Sequence, residues 1–371
     1  MEVERCTRFD AVIVGSGIAG ALIALRLTQA GKCVLILEAG REAPDSTDAY
    51  MQRFYNAIFK VPESPYPPEL FRTRVELHDP TTVNAGRPTV MSLTPQRWKD
   101  PTQSYLVQEG PLAFGSTYER VSGGTSQHWL GTCLRLLPSD FQMSKFSAAS
   151  GVQFPDWPIS YETLARPQSN GTPSWYSQAE WEIGVAGDRA DQTYLGVDFF
   201  SEDYPMPAIP KSRVDERLED IIGGVRLEGL PNDVQLCVRS TPAARNSKPY
   251  QSRRVCAGNT NCIPICPIQA KYDPSVTLNE AARTGKLEIW YRTVATEVVA
   301  DGPKRPVREI RYRRYEQDRG GTSTAGSITA KVFIIAANAI ETPRLLLMSL
   351  IPSNRRSVNC PFSVFVWEIK F

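Results

Sequence analysis

Three glycines near the start of the chain are spaced as in loops that bind dinucleotides. Gly15, Gly17 and Gly20 form a G-x-G-x-x-G pattern, with Ser16 in its first gap. Such a loop lets the backbone turn tightly, approach a pyrophosphate closely, and lead into a helix that lies against a sheet. The helix N-terminus adds free N–H groups and a positive dipole end, which attract phosphate oxygens. These residues therefore predict the binding of a dinucleotide through its pyrophosphate.

The elements around the glycines are those that this loop requires. The apolar run 9–14 predicts a buried strand, the Ala- and Leu-rich stretch 18–31 predicts a helix, and the apolar run 33–37 predicts a second strand. Glu38 follows that strand and is placed to accept a hydrogen bond from a ribose hydroxyl. A strand–turn–helix–strand unit of about thirty residues is the context in which the glycine pattern is informative.

A second buried strand followed by a helix lies near the other end of the chain. The predicted strand covers 331–338, and Pro343 is placed to begin the helix. A nucleotide-binding domain assembled from both ends of the sequence, with an inserted middle region, accounts for the two units.

Composition argues against several classes of partner. The chain has 42 Lys and Arg against 40 Asp and Glu, a net charge of +2, which provides no electrostatic footprint for nucleic acid or anionic lipid. We find no apolar stretch long enough to span a bilayer and no secretory signal in the first residues. We expect an intracellular, cytoplasmic protein, whose eight cysteines are thiols or metal ligands rather than a disulfide framework.

The pattern along the chain predicts a discontinuous domain organisation, because proline-rich, aperiodic sequence separates the periodic segments. The predicted parts are a nucleotide-binding domain at 1–40, 112–150 and 256–350, an irregular lid or connection at 41–111, part of a substrate domain at 151–255, and an atypical tail at 351–371.

Four blocks of sequence together resemble the glucose–methanol–choline (GMC) family of flavoprotein oxidoreductases. They are the glycine loop with Glu38, the segment 123–129, the cysteine-rich segment 256–272, and the block Ala-Ala-Asn-Ala-Ile-Glu-Thr-Pro-Arg at 336–344. The blocks at 136–141 and 157–162 resemble the branch that holds pyranose oxidases and the flavin subunits of gluconate, fructose and glucose dehydrogenases. The resemblance implies an α/β fold: a three-layer, Rossmann-like FAD-binding domain with an interleaved, here incomplete, α+β substrate domain. It also implies oxidation of an alcohol or sugar hydroxyl to a carbonyl.

The resemblance assigns a set of residues to FAD. Gly123 and Gly124 would let the backbone lie against the flavin ring, with N–H groups that stabilise negative charge on the reduced ring. His128 is implied to lie at the flavin, and a covalent bond to the ring is left open; the alternative is a histidine that only packs beside Trp129. The expected set is Gly15, Ser16, Gly17, Gly20, Glu38, Gly123, Gly124, Thr125, Ser126, His128, Val294, Asn338 and Thr342.

Three cysteines are spaced closely enough to share a metal centre. Cys256, Cys262 and Cys266 form a C-x5-C-x3-C run, and thiolates this near in sequence can converge on one inorganic cluster. The sugar-dehydrogenase flavin subunits that the chain resembles hold a three-iron cluster with this spacing. The resemblance thus implies an iron–sulfur cluster and an electron-acceptor protein. The alternatives are unligated thiols in a loop, or a zinc site that lacks its fourth ligand.

The catalytic residues are left unknown. A base must remove the hydroxyl proton of an alcohol while the carbon delivers hydride, and the family uses a C-terminal histidine for this step. The chain has no histidine after His128, and the motif position of Glu341 favours a structural or flavin-side role over that of a substitute base. We therefore expect a truncated or mis-spliced chain. Alternatives are a catalytically impaired flavin-binding homologue and a flavin oxidase that tailors natural products; a nicotinamide dehydrogenase would not explain 123–125 or 336–338.

Overall fold

The structure is a computed structural model that describes part of the 371 residues. The described residues are 8–42, 48, 120–127, 129–147, 151, 153–193, 196–200, 203–227, 234–258, 262, 266, 268–300, 306–316 and 322–350. The predicted tail at 351–371, and nearly all of the predicted lid at 41–111, lie outside them.

Helices and strands alternate along much of this part of the chain. The helices are α1 (Ile18–Gln29), α2 (Tyr161–Ala165), α3 (Trp175–Ile183), α4 (Arg189–Thr193), α5 (Arg213–Ile222), α6 (Ser275–Arg283) and α7 (Asn338–Leu350). The strands are β1 (Ala11–Val14), β2 (Val34–Leu37), β3 (Ala186–Gly187), β4 (Met206–Pro207), β5 (Arg226–Leu227), β6 (Val234–Gln235), β7 (Leu287–Trp290), β8 (Thr293–Ala300), β9 (Val307–Tyr315), β10 (Ser323–Ile328) and β11 (Val332–Ile335). None of the helices formed by the described residues is both long and apolar enough to cross a membrane.

The chain divides into two compact units. The first comprises Met1–Trp129, Thr260–Pro267 and Asp273–Phe371, and the second comprises Leu130–Asn259 and Ile268–Tyr272. Compactness does not assign a function to either unit, so the domain boundaries inferred from the sequence stay a prediction.

A four-stranded parallel sheet forms the centre of the first unit. Its strand order is β11-β1-β2-β7, and Val12 of β1 stands opposite Phe333 on one side and Leu35 on the other. All four residues of β1 and of β2 are buried, as expected for parallel strands covered on both faces. This is why both strands read as continuous apolar runs in the sequence.

Both faces of the parallel sheet are covered, which makes three layers. On one face, sheet residues pack against α1 and α6; the buried cluster is Ala11, Ile13, Ala21, Ala24, Val34, Ile36 and Leu278. On the other face lie α7 and the antiparallel sheet β10-β9-β8; the buried cluster is Val12, Val14, Leu35, Leu37, Ala295, Ile310 and Leu345. The predicted three-layer, Rossmann-like α/β fold is confirmed.

Two local predictions in the first unit differ from the structure. The alternating residues 287–299 predict a single strand, but the structure has two strands in two sheets, because the chain reverses at Arg292, whose φ is 51°. The polar stretch after it predicts a hairpin and forms the antiparallel strands β9 and β10, with Ile310 as a buried residue. Pro343 lies inside α7 rather than at its start, because the helix already begins at Asn338.

The second unit is built around short helices and a buried ion pair. The polar stretch 165–175, which carries Ser and Pro, predicts the interruption of a helix that resumes at Tyr176. Helix α2 ends at Ala165 and α3 begins at Trp175, and Ser174 caps α3 by accepting the N–H of Ser177. The predicted interruption of the helix is therefore confirmed.

Arg135 and Glu180 form the ion pair of the second unit, through two hydrogen bonds of 2.7 Å. The Arg135 guanidinium also lies 3.9 Å from the centroid of the Phe199 ring. Both charges are thus paired and enclosed, as buried charges require.

Candidate dinucleotide-binding site

The three glycines of the first loop are required for two different reasons. A Cβ on Gly15, whose φ is 99°, would lie 2.5 Å from the carbonyl oxygen of Ala336, and a Cβ on Gly20 would lie 2.1 Å from that of Gly15. A Cβ on Gly17 would meet none of the described residues within 4 Å. Gly15 and Gly20 therefore permit close backbone packing, whereas Gly17 leaves open space in front of the loop.

The open space lies at the N-terminus of α1. Gly17 is the N-cap residue, with φ of −63° and ψ of −176°, and none of the described side chains caps the helix or places a carboxylate in its first turn. The first N–H groups of a helix have no partner within the helix and carry its positive dipole end. A pyrophosphate would satisfy both, so the residues present fit a dinucleotide.

Glu38 lies at the end of β2, buried beside the loop. Its Oε2 accepts hydrogen bonds from the backbone N of Ser16 at 2.9 Å and from the Ser16 Oγ at 2.6 Å, and its Oε1 accepts one from the N of Gly40 at 2.6 Å. Burial raises the pKa of Glu38, against the lowering effect of these hydrogen bonds and of the nearby Arg120 charge. Because each carboxylate oxygen has two lone-pair sites, Oε1 can still accept one ribose hydroxyl.

The segment that holds the second glycine pair is bonded to the same loop. Gly123 and Gly124 have φ of 87° and 57°, and a short 3-10 helix covers Gly124–Gln127, including Thr125. The N–H of Gly123 donates to the Ser16 Oγ at 3.1 Å, while the Ser126 hydroxyl donates to the Gly123 carbonyl within its own turn. The structure thus brings the two predicted glycine motifs together, more than a hundred residues apart in sequence.

Gly40 explains how this segment approaches the end of β2. Arg41 pairs with Val121 in a parallel bridge, and the N–H of Ser122 donates to the carbonyl of Arg41 at 3.0 Å. A Cβ on Gly40 would lie 2.4 Å from the backbone N and Cα of Val121. Only a glycine fits at this crossing.

The turn between β11 and α7 completes the surroundings of the loop. Asn338 has φ of 71°, and its Oδ1 accepts the N–H groups of Ile340 at 2.8 Å and Glu341 at 3.0 Å. Thr342 Oγ1 accepts the N–H of Ala337 at 3.1 Å. The predicted cofactor residues Asn338 and Thr342 therefore use these side-chain oxygens to shape the turn whose backbone lies against Gly15.

Val294 and His128 are the remaining residues of the set that the sequence predicts for the cofactor. Val294 lies in β8, next to Thr293, whose N–H donates to the Glu38 carbonyl at 2.8 Å. His128 lies outside the described residues. The roles of Val294 and His128 at the cofactor stay predictions.

The cysteines are described only in part. Cys262 and Cys266 are buried, and Cys256 is partly buried, but no three His, Cys, Asp or Glu side chains of the described residues form a group that could hold a metal ion. Cys33 is disulfide-bonded, so the expectation of thiols or metal ligands is wrong for this residue.

Two residues that the sequence did not single out belong to the same buried network. Ser122 Oγ lies 3.4 Å from the Ser16 Oγ, and the Tyr291 hydroxyl is hydrogen-bonded to the Ser122 side chain. Burial raises the pKa of Tyr291 to about 12. Ser122 directly precedes the glycine pair and could have been noticed; the sequence carries no signal for Tyr291.

Fold and site together define a Rossmann-type dinucleotide-binding domain, and comparison with known proteins agrees. The family of NAD(P)-binding Rossmann-like domains matches residues 13–44. The fructose dehydrogenase large subunit of Gluconobacter japonicus is 30% identical over 342 residues, which cover 92% of this chain and 54% of that protein. The 6'''-hydroxyparomomycin C oxidase of Streptomyces lividus is 24% identical over 365 residues, which cover 93% of this chain and 50% of that protein.

Solved structures also align along the chain. The crystal structure of pyridoxine 4-oxidase from Mesorbium loti has a TM-score of 0.42 and 17% identity, and the match covers 91% of this chain and 51% of that one. The chain spans about half the length of the curated relatives it matches. These similarities agree with the resemblance to the glucose–methanol–choline family of flavoprotein oxidoreductases.

Proposed function

We propose that this chain binds FAD and serves the oxidation of an alcohol or sugar hydroxyl to a carbonyl. The observation that carries the proposal is the open space before Gly17, at the uncapped N-terminus of α1 and beside Glu38. Bound FAD supplies an acceptor for the hydride that leaves the substrate carbon.

Different residues of the site would bind different parts of the cofactor. The N–H groups at the start of α1 bind the pyrophosphate, and the free lone pair of Glu38 Oε1 accepts a ribose hydroxyl. The same buried carboxylate repels a 2′-phosphate, which disfavours NADP. Gly123 and Gly124 present backbone without side chains, so this segment can lie flat against the ring.

The names of the relatives support the class of substrate. One relative is named a fructose dehydrogenase subunit and another a hydroxyparomomycin C oxidase, and both names denote oxidation of compounds rich in hydroxyl groups. We therefore propose a sugar or another small-molecule alcohol as the substrate. The second relative favours, as a second candidate, a flavin oxidase that tailors a natural product.

The experiment is an absorption spectrum of the purified chain, repeated on the supernatant after acid precipitation, followed by a panel of sugars and alcohols with an artificial electron acceptor. We expect flavin bands, and bleaching of the flavin by at least one member of the panel. Flavin that precipitates with the protein would support a covalent bond, with His128→Ala as the test of its position. A folded chain that neither carries nor binds added FAD would refute the proposal; FAD binding without bleaching by any substrate would favour the impaired homologue.

A finer proposal concerns the route by which electrons leave. The spacing of Cys256, Cys262 and Cys266 and the similarity to a dehydrogenase subunit support an iron–sulfur cluster and an electron-acceptor protein. Metal analysis of the purified chain, with Cys262→Ser as the control, tests this proposal. Iron and acid-labile sulfide that are present in the wild type and absent from the variant support the cluster. Zinc in the wild type supports the alternative zinc site. The absence of both metals supports unligated thiols, with oxygen as the electron acceptor.

A further inference from the structure

A chain of four buried or partly buried polar side chains crosses the candidate site. It runs from the Glu38 carboxylate to the Ser16 hydroxyl at 2.6 Å, on to the Ser122 hydroxyl at 3.4 Å, and then to the Tyr291 hydroxyl. These residues come from four separate segments: the β1–α1 loop, the end of β2, the segment 121–127, and the turn between β7 and β8. Ser16, fully buried, has contacts with two of the others.

The direction of the hydrogen bonds at Ser16 follows from its single proton. The hydroxyl donates this proton to Glu38, because a carboxylate oxygen can only accept. Its lone pairs then accept the N–H of Gly123 at 3.1 Å. A hydrogen bond to a carboxylate polarises the hydroxyl and makes it a better acceptor. The state of Glu38 and the position of Gly123 are thus linked through one oxygen atom.

Ser16 contacts Glu38 through its backbone as well as its hydroxyl, but it contacts Gly123 through its hydroxyl. That N–H donates to Glu38 at 2.9 Å whatever the side chain is, so Glu38 keeps a donor from residue 16 without the hydroxyl. Within the described part of the chain, the N–H of Gly123 donates to the Ser16 hydroxyl alone. Loss of the hydroxyl should therefore affect the segment 121–127 more than the ribose-binding carboxylate.

We propose that Ser16 is a positioning residue, which fixes the Gly123–Gly124 backbone relative to the pyrophosphate loop and so sets the surroundings of the flavin ring. This inference rests on the proposed binding of FAD. Ser16 touches the adenosine side of the site through Glu38 and the flavin side through Gly123. It therefore affects the flavin without contributing a group to the reaction.

The test compares Ser16→Ala with Ser122→Ala as a matched control. Both variants lose a small hydroxyl from the same network, but only Ser16→Ala removes the acceptor of the Gly123 N–H. In the apo protein we expect amide exchange across 123–127 to be about fivefold to tenfold faster in Ser16→Ala, since one hydrogen bond is lost, and less changed in Ser122→Ala. The affinity for ADP, which lacks the flavin, should stay within about twofold of wild type in both, as the Ser16 backbone contact to Glu38 remains.

The FAD-loaded protein provides a second readout. In Ser16→Ala we expect a changed visible circular dichroism of the flavin and a shifted reduction potential, and Ser16→Thr, which keeps the hydroxyl, should restore both. Equal loss of ADP and FAD affinity in Ser16→Ala with unchanged exchange at 123–127 would overturn the inference, as would equal effects of the two alanine variants. If no form of the chain binds FAD, the proposed function fails, while the exchange measurement still decides whether Ser16 holds the segment.

Discussion

Glu38 stabilises the fold of the loop, and in our proposal the same buried side chain also binds the ligand. Three protein donors surround its carboxylate, yet burial raises its pKa because water no longer solvates the charge. Among the described residues, Oε1 accepts one hydrogen bond, and under the proposed function its second lone pair accepts a ribose hydroxyl. The ionised form of Glu38 is therefore costly to the apo protein and useful to the complex.

The first prediction is a pH dependence of stability. A carboxyl group whose folded pKa is raised contributes stability that is fully present below its unfolded value, ordinarily 4.5, and is lost as the pH rises through the folded pKa. We expect the difference in unfolding free energy between wild type and Glu38→Gln to change in favour of the variant as the pH rises from 4.5 towards neutrality. Urea unfolding of both apo proteins across this range measures it.

Ligand binding should show the opposite dependence, which serves as the control. A ribose hydroxyl donates to the ionised carboxylate, so the affinity for ADP should rise with pH through the pKa of Glu38 in wild type and stay flat in Glu38→Gln. Parallel pH profiles for the two proteins would contradict both expectations. They would indicate that Glu38 does not titrate in this range.

At the scale of elements, two glycines of the β1–α1 unit have different surroundings: one packs against backbone and the other lies where we propose that the ligand binds. Gly20 lies where the helix touches the loop backbone, and Gly17 faces open space. The two glycines occupy one motif, three residues apart, but they face different surroundings. This difference makes them a matched pair for mutation.

The second prediction uses this pair. Gly20→Ala should lower the unfolding free energy by about 1–3 kcal/mol, because its Cβ would force α1 away from the Gly15 carbonyl. Gly17→Ala should leave stability unchanged or raise it by about 0.5 kcal/mol, since its φ suits alanine, but should weaken ADP binding about tenfold or more by blocking the approach to the N–H groups. Urea unfolding and ADP titration give the two quantities; a Gly17→Ala protein as unstable as Gly20→Ala would contradict the assignment.

The third prediction concerns the start of α7. Asn338 combines a left-handed backbone with a side chain that caps two N–H groups. Asn338→Ala loses the cap and keeps the strained φ, so we expect a loss of about 2 kcal/mol. Asn338→Gly relieves the φ and should cost less. Urea unfolding of the two variants measures both losses of unfolding free energy. Equal losses in Asn338→Ala and Asn338→Gly would mean that the cap contributes and the backbone strain does not.

At the scale of the whole molecule, the two units depend on different interactions. The first unit is held by apolar residues on both faces of a parallel sheet. The second unit, with its short helices, encloses the Arg135–Glu180 pair, in which the side chains are 2% and 7% exposed. Removal of one partner would leave an uncompensated charge inside this unit.

The fourth prediction follows from that pair. Glu180→Ala should destabilise the protein by about 3–5 kcal/mol, because the Arg135 charge stays buried without its carboxylate. The control is Asp220→Ala, which breaks the ion pair with Arg217 on the surface, where the side chains are 74% and 70% exposed; we expect a change within about 0.5 kcal/mol. Urea unfolding measures both, and equal small effects would show that the buried pair is dispensable.

The sequence by itself determined the elements that local pattern controls. Apolar runs predicted β1 and β2, and the glycine spacing with Glu38 predicted the dinucleotide loop, because both signals lie within one short stretch of chain. The amphipathic period near 213–222 likewise predicts a helix, and α5 lies there, since that period is local too.

Only the tertiary structure decided how distant segments meet. The bond from Gly123 to Ser16 joins residues 107 positions apart, and the same network includes Tyr291, which no local pattern distinguishes. The split of 287–299 into β7 and β8 follows from pairing with two different sheets, and Asn338 and Thr342 were found to bind their own turn. Pairing between remote segments depends on their packing in three dimensions, whereas periodicity and spacing report only on neighbours along the chain.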